Sequence, residues 1–135
     1  MTHAIFEVLQ KVSKKIEKLN SKFSRYQSNQ VTAFRGESRE WGNTSLTPSI
    51  FRMPINFNQE NELFDLLEDF DIAKGRDLSN LDKATEAQHY MAFSRLLDIT
   101  FNVLPAIYFA CESDFEHNAS LYIFSFPEHY SPHSG

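Results

Sequence analysis

An arginine and then a glycine close a strand-like run, Thr32-Ala33-Phe34-Arg35-Gly36-Glu37-Ser38, and no other segment of this chain is as pointed chemically. A guanidinium there can grip a phosphate or carboxylate with two parallel hydrogen bonds, and a glycine beside it lets a ligand approach the backbone. The chemistry is anion binding. The same residues also fit a strand that ends at a turn, with Arg35 tied to an acidic neighbour. The chain has no Gly-rich phosphate loop, nucleophile elbow, HExxH segment or Cys/His ligand spacing, so the common kinase, hydrolase and zinc-enzyme chemistries lack their parts. His129 and His133 are four apart but fall in a Pro-containing tail, and no metal site is expected. What remains is the set Arg35, Gln88, His89, Arg95, Asp98, Thr100 and Glu112. Each also has a structural reading: a core-edge hydrogen bond for Asp98, an exposed helix end for Glu112, a hydrogen-bonded helix-end histidine for His89.

These residues need elements to position them. From Ala4 to Phe23 the apolar residues Ile5, Val8, Leu9, Val12, Ile16, Leu19 and Phe23 recur three or four apart, which predicts an amphipathic helix. Its other face carries Lys11, Lys14, Lys15, Lys18 and Lys22 interspersed with Glu7 and Glu17, a solvated face by this pattern. Residues 30–35 read as a strand with Val31, Ala33 and Arg35 on one face and Thr32 and Phe34 on the other. Residues 37–58 are rich in Gly, Ser, Thr, Asn and Pro and predict a long irregular connection holding Trp41 and Arg52. An acidic helix is expected over 59–70, with Asn58 as its cap, Leu63, Leu66, Leu67 and Phe70 inward, and solvated carboxylates. Another helix is expected over 81–91 and a strand over 94–100. Asn102 can cap a further helix with Pro105 in its first turn and Leu104, Ile107, Tyr108 and Cys111 on its buried stripe. The apolar run Ser120 to Phe126 reads as a strand covered on both faces. The result is an α+β fold: a small mixed sheet flanked by helices, with an amphipathic helix over 1–26, the main domain over 27–128 and a flexible tail over 129–135.

The chain has 135 residues, 41% hydrophobic, with thirteen phenylalanines, enough for one real core. A net charge of -5 argues against a dedicated nucleic-acid binder, which needs a basic field. A single cysteine, Cys111, excludes an internal disulfide. With no secretory segment and no membrane-length apolar run, a cytoplasmic, non-membrane protein is expected. The ending Ser131-Pro132-His133-Ser134-Gly135 fits either a frayed tail or the cut end of a longer chain.

Several segments recur in the order of a known family: Phe34-Arg35-Gly36-Glu37-Ser38, Leu46-Thr47-Pro48-Ser49-Ile50-Phe51-Arg52, Ala87-Gln88-His89-Tyr90, and Ser94-Arg95-Leu96-Leu97-Asp98 followed by Ala106-Ile107-Tyr108-Phe109-Ala110. Over residues 31–126 the chain thereby resembles the FRG domain. An Arg-Gly strand, a later Ser/Thr segment and an Ala-x-x-Phe-Ala helix also resemble, more distantly, the layout of ADP-ribosyltransferases. That likeness implies a nucleotide ligand, NAD, held by Arg35, Gly36, Gln88, Arg95 and Thr100, with His89, Asp98 and Glu112 as catalytic candidates. It also implies a protein or nucleic-acid acceptor and a role in bacterial conflict such as phage defence. The chain departs from the FRG pattern at Met91-Ala92-Phe93-Ser94, where relatives read Gly-Leu-Pro-Thr, and at Ile99, where relatives carry tryptophan. The glutamate that transferases carry on a strand after the one corresponding to residues 120–126 has only Glu128 as a counterpart. These departures leave a second reading open, a non-catalytic protein-interaction module, degenerate or truncated, whose first helix forms homo-oligomers.

Overall fold

The structure, a computed structural model, describes residues 2–23, 30–52, 59–69, 79–89 and 95–127. It is a mixed α+β protein. The chain divides into two compact units, Met1–Glu40 with Ile99–Gly135, and Trp41–Asp98.

The first unit is built on an antiparallel pair, β1 (Gln30–Glu37) and β2 (Ser120–Pro127), in the register Phe34 to Ile123, Arg35 to Tyr122 and Gly36 to Leu121. Helix α1 (Thr2–Phe23) precedes β1, and helix α5 (Val103–Cys111) precedes β2. Phe34, Gly36, Leu121 and Ile123 fall on one sheet face by the period of two, and this face holds the core. Val12 of α1 and Ala106 of α5 join Phe34 there, with Ile16, Val103, Leu121 and Ile123 packed around them. Apolar burial at this point, roughly 25 cal/mol per Å², is what fixes both helices to the sheet.

Three expectations for this unit are corrected. The buried stripe of α5 runs through Ala106 and Ala110, whereas Leu104, Tyr108 and Cys111 are exposed. Only alanines fit because α5 lies so close to β1 that a β-carbon on Gly36 would stand 1.8 Å from the Ala106 carbonyl oxygen and 2.7 Å from the Ala110 amide. Helix α1 is as expected in extent, but its stripe is half-buried at Leu9 and buried at Val12, whereas Ile5 and Val8 are exposed, as is Phe6. Strand β2 is half-buried along most of its length instead of covered on both faces, as befits a strand with a neighbour on one side among the described residues.

The turn from α5 to β2 is organised by Asp114, whose φ of 60° is rare for a residue with a β-carbon. Its carboxylate binds Arg39 Nε at 3.3 Å and His117 Nδ1 at 2.7 Å, while the Glu40 amide donates to the Asn118 carbonyl at 3.0 Å.

The second unit contains a 3-10 turn (Gly42–Thr44), the short helix α2 (Ser49–Arg52), α3 (Gln59–Asp69) and α4 (Asn80–His89). The expected irregular connection therefore holds two helical turns and starts later, because β1 continues to Glu37. Arg52 lies 4.2 Å over the Trp41 ring and donates from Nε to the Thr47 carbonyl at 3.0 Å, which ties the connection to itself. Helix α4 starts with a reciprocal cap. The Asp82 amide donates to Ser79 Oγ at 3.2 Å, and the Ser79 amide to Asp82 Oδ2 at 3.0 Å. The regular strand expected over 94–100 is absent from the described residues 95–99, and only Thr100 pairs with β1. In α3, Leu66 is 48% exposed and Glu60 is 1% exposed, the reverse of the expected pattern. Asn58, Phe70, Tyr90, Met91–Ser94 and His129–Gly135 lie outside the described residues.

Candidate functional site

Arg35 extends from the sheet face opposite the core, in register with Tyr122. Glu37, two residues on and therefore on the same face, accepts a hydrogen bond from Arg35 Nε at 3.2 Å. The side chain of Glu37 is 2% exposed and that of Arg35 is 20% exposed. A buried carboxylate thus orients an arginine that still reaches the surface. The acidic neighbour allowed for in the sequence is Glu37. Gly36 points the other way, and the space its hydrogen leaves is filled by the backbone of α5.

Thr100 pairs with Phe34 across the free edge of β1: the Phe34 amide donates to the Thr100 carbonyl at 2.7 Å, and the Thr100 amide returns a bond at 2.8 Å. Residues opposed in such a bridge share a sheet face, so Thr100 belongs with Phe34 and not with Arg35. Its hydroxyl accepts from the Asn102 amide at 3.2 Å, and Asn102 in turn caps α5 by accepting from the Leu104 amide at 3.0 Å. Glu112, the residue that ends α5, is exposed, and the Tyr108 hydroxyl donates to it at 3.4 Å. Within this unit the sheet therefore separates Arg35 from Thr100 and from the helix that ends at Glu112.

The remaining candidates belong to the second unit. Gln88 is half-buried on α4, His89 is the last residue of that helix, and Asp98 is exposed. Arg95 is held by Glu60 from α3: Nε lies 2.7 Å from one carboxylate oxygen and 3.0 Å from the other, Nη2 makes a further short bond, and the Arg95 amide donates at 3.3 Å. The hydrogen bonds that Arg95 donates to Glu60, and then the charge of that carboxylate, raise the pKa of Arg95. Sequence reasoning missed Glu60 by reading the α3 acids as solvated. The signal was its spacing, since Glu60 stands three and seven positions before Leu63 and Leu67, on their side of the helix.

In each unit by itself, an arginine oriented by an almost wholly buried carboxylate, Arg35 by Glu37 and Arg95 by Glu60, is of the kind that grips an anion. Among the described residues no group of three or more His, Cys, Asp or Glu is placed to hold a metal ion. No described helix is long and apolar enough to cross a membrane. The family model of the FRG domain matches residues 30–119. The chain belongs to the FRG domain family. No curated protein and no solved structure matches it. The stretch matched to the FRG domain opens at the first residue of β1 and closes one residue before β2. It therefore includes both arginines and the two glutamates that hold them, while α1 precedes it.

Proposed function

We propose that this FRG domain binds a nucleotide of the NAD class and, in the manner of an ADP-ribosyltransferase, transfers its ADP-ribosyl group to a protein or nucleic acid in bacterial conflict such as phage defence. The observation that carries the reading is the orientation of Arg35 by buried Glu37 on a strand face that it shares with Tyr122. A guanidinium fixed in this way grips a pyrophosphate without first losing its own freedom. In the transfer, the bond between ribose C1′ and the nicotinamide nitrogen breaks, and nicotinamide leaves with the bonding pair. The acceptor's lone pair then closes on C1′, and its proton goes to a base. A carboxylate near the developing positive charge stabilises it, and Glu37, on the sheet face of Arg35, is the candidate within this unit.

A second reading, a non-catalytic interaction module, is favoured by a different observation. Phe101, Leu104, Tyr108, Phe109 and Phe115 are all more than half exposed on and around α5. An apolar surface of this kind suits a partner protein better than a nucleotide.

Calorimetric titration with NAD separates the two. Saturable binding that is lost in Arg35→Gln/Glu37→Gln, at an unchanged melting temperature, supports the nucleotide reading. No heat at millimolar NAD with the folded chain overturns it.

A further inference from the structure

Between α3, α4 and the start of the 95–100 segment lies a cleft of about 500 Å³, wholly inside the second unit. Its size is that of an ordinary small-molecule site. Phe64, Leu81 and Leu96 supply apolar wall, Lys83 and Arg95 supply positive charge, and Asn61 and Asp65 supply acceptors. Asp82, one residue before Lys83, caps α4.

We propose that this cleft binds a small organic anion with a flat apolar body, anchored on Arg95 and Lys83. This site goes beyond the nucleotide reading, because none of its lining residues belongs to the first unit. Arg95 is the reason to expect an anion. It lines the cleft with a side chain that is 62% exposed, while its partner Glu60 is 1% exposed. Glu60 engages Nε and Nη2, and a guanidinium carries further N–H donors beyond those two positions. Arg95 is thus held by a buried carboxylate while it lines the cleft, the arrangement by which a supporting shell prepares a binding group. Lys83 adds a second cation, and a planar ring can lie against Phe64 with an offset or edge contact. Asn61 and Asp65 can accept hydrogen bonds from donors on the ligand's body.

The probes are phenyl phosphate and benzoate, each titrated into the intact chain by calorimetry, with benzylamine as the cationic counterpart. Saturable binding of either anion, weakened by about tenfold or more in Lys83→Glu, supports the site, and the tighter of the two anions names its class. Because removing Arg95 alone strands a buried carboxylate, the second variant is Glu60→Gln/Arg95→Gln, which keeps a neutral hydrogen-bonding pair and is expected to abolish binding while the chain stays folded. Neither anion binding at millimolar concentration, binding indifferent to both variants, or benzylamine binding in their place overturns the proposal.

Discussion

The backbone of Ala106 occupies the place where a side chain on residue 36 would begin. The 1.8 Å between its carbonyl oxygen and an added β-carbon is a collision of a backbone-fixed atom with backbone, which no rotamer change can relieve. Gly36→Ala must therefore push α5 off β1. The expected cost is about 3 kcal/mol or more, at the upper end of overpacking changes, read as a lower urea midpoint. A variant that keeps wild-type stability would show that the helix can withdraw and that the glycine serves something other than packing.

The core cluster predicts unequal halves for α1. Val12, 7% exposed against Phe34 and Ala106, is expected to cost about 2 kcal/mol on replacement by alanine, whereas Ile5→Ala, at a site 41% exposed, changes stability by less than about 0.5 kcal/mol. Paired denaturation curves check this. Equal losses at both positions would mean that the whole stripe is covered in solution, as a homo-oligomer through this helix requires.

Loss of the Asn102 cap leaves the Leu104 amide without its acceptor, so Asn102→Ala is expected to cost about 1 kcal/mol, and Asn102→Asp to restore most of it. Thermal melts of the two variants decide the point. Because the Thr100 carbonyl accepts from the Phe34 amide of β1 and its hydroxyl accepts from the Asn102 amide, Thr100→Val tests the same corner from the other side and is expected to fray the start of α5.

Removing Arg95 strands the buried Glu60 carboxylate, so Arg95→Ala is expected to lower the melting temperature more than Arg95→Ala/Glu60→Leu does. Arg95→Lys should rescue only in part, since an ammonium cannot make the forked contact. The pH sign follows from the direction of the shift. A base whose pKa is raised by folding contributes stability that is present below its unfolded value and lost as pH climbs through the folded one, and for an arginine both lie far above neutral. The melting-temperature gap between wild type and Arg95→Ala is therefore expected to hold constant from neutral to moderately alkaline pH. A gap that closes near neutrality would show that another group carries the effect.

Periodicity located α1, α3 and α4 within a residue or two of their expected bounds over the described residues, along with the two paired strands, and α5 follows the expected Asn102 cap. It failed where burial follows from a neighbour that spacing cannot reveal. The large residues of α5 look like its core stripe, yet close approach to Gly36 admits only Ala106 and Ala110, and the bulk of Leu104 and Tyr108 turns outward. Glu60 failed for the complementary reason, since its partner Arg95 is distant in sequence and single-sequence charge patterns look only a turn or two ahead. The Arg-Gly pair was legible as a unit, but the pleat gives its two residues to opposite faces, Arg35 to Glu37 and Gly36 to the helix.

The pairing of β1 with β2 has a consequence for synthesis. Gln30 must find Pro127, and Glu37 must find Ser120, across a stretch that contains the entire Trp41–Asp98 unit. On the ribosome β1 thus emerges early and waits, its Val31, Ala33 and Phe34 without their partner strand, until nearly all of the described chain has been made. Chains stalled before Ser120 are expected to be captured by chaperones or to aggregate, and release of that dependence when stalling is moved past Pro127 would identify closure of the sheet as the committing step.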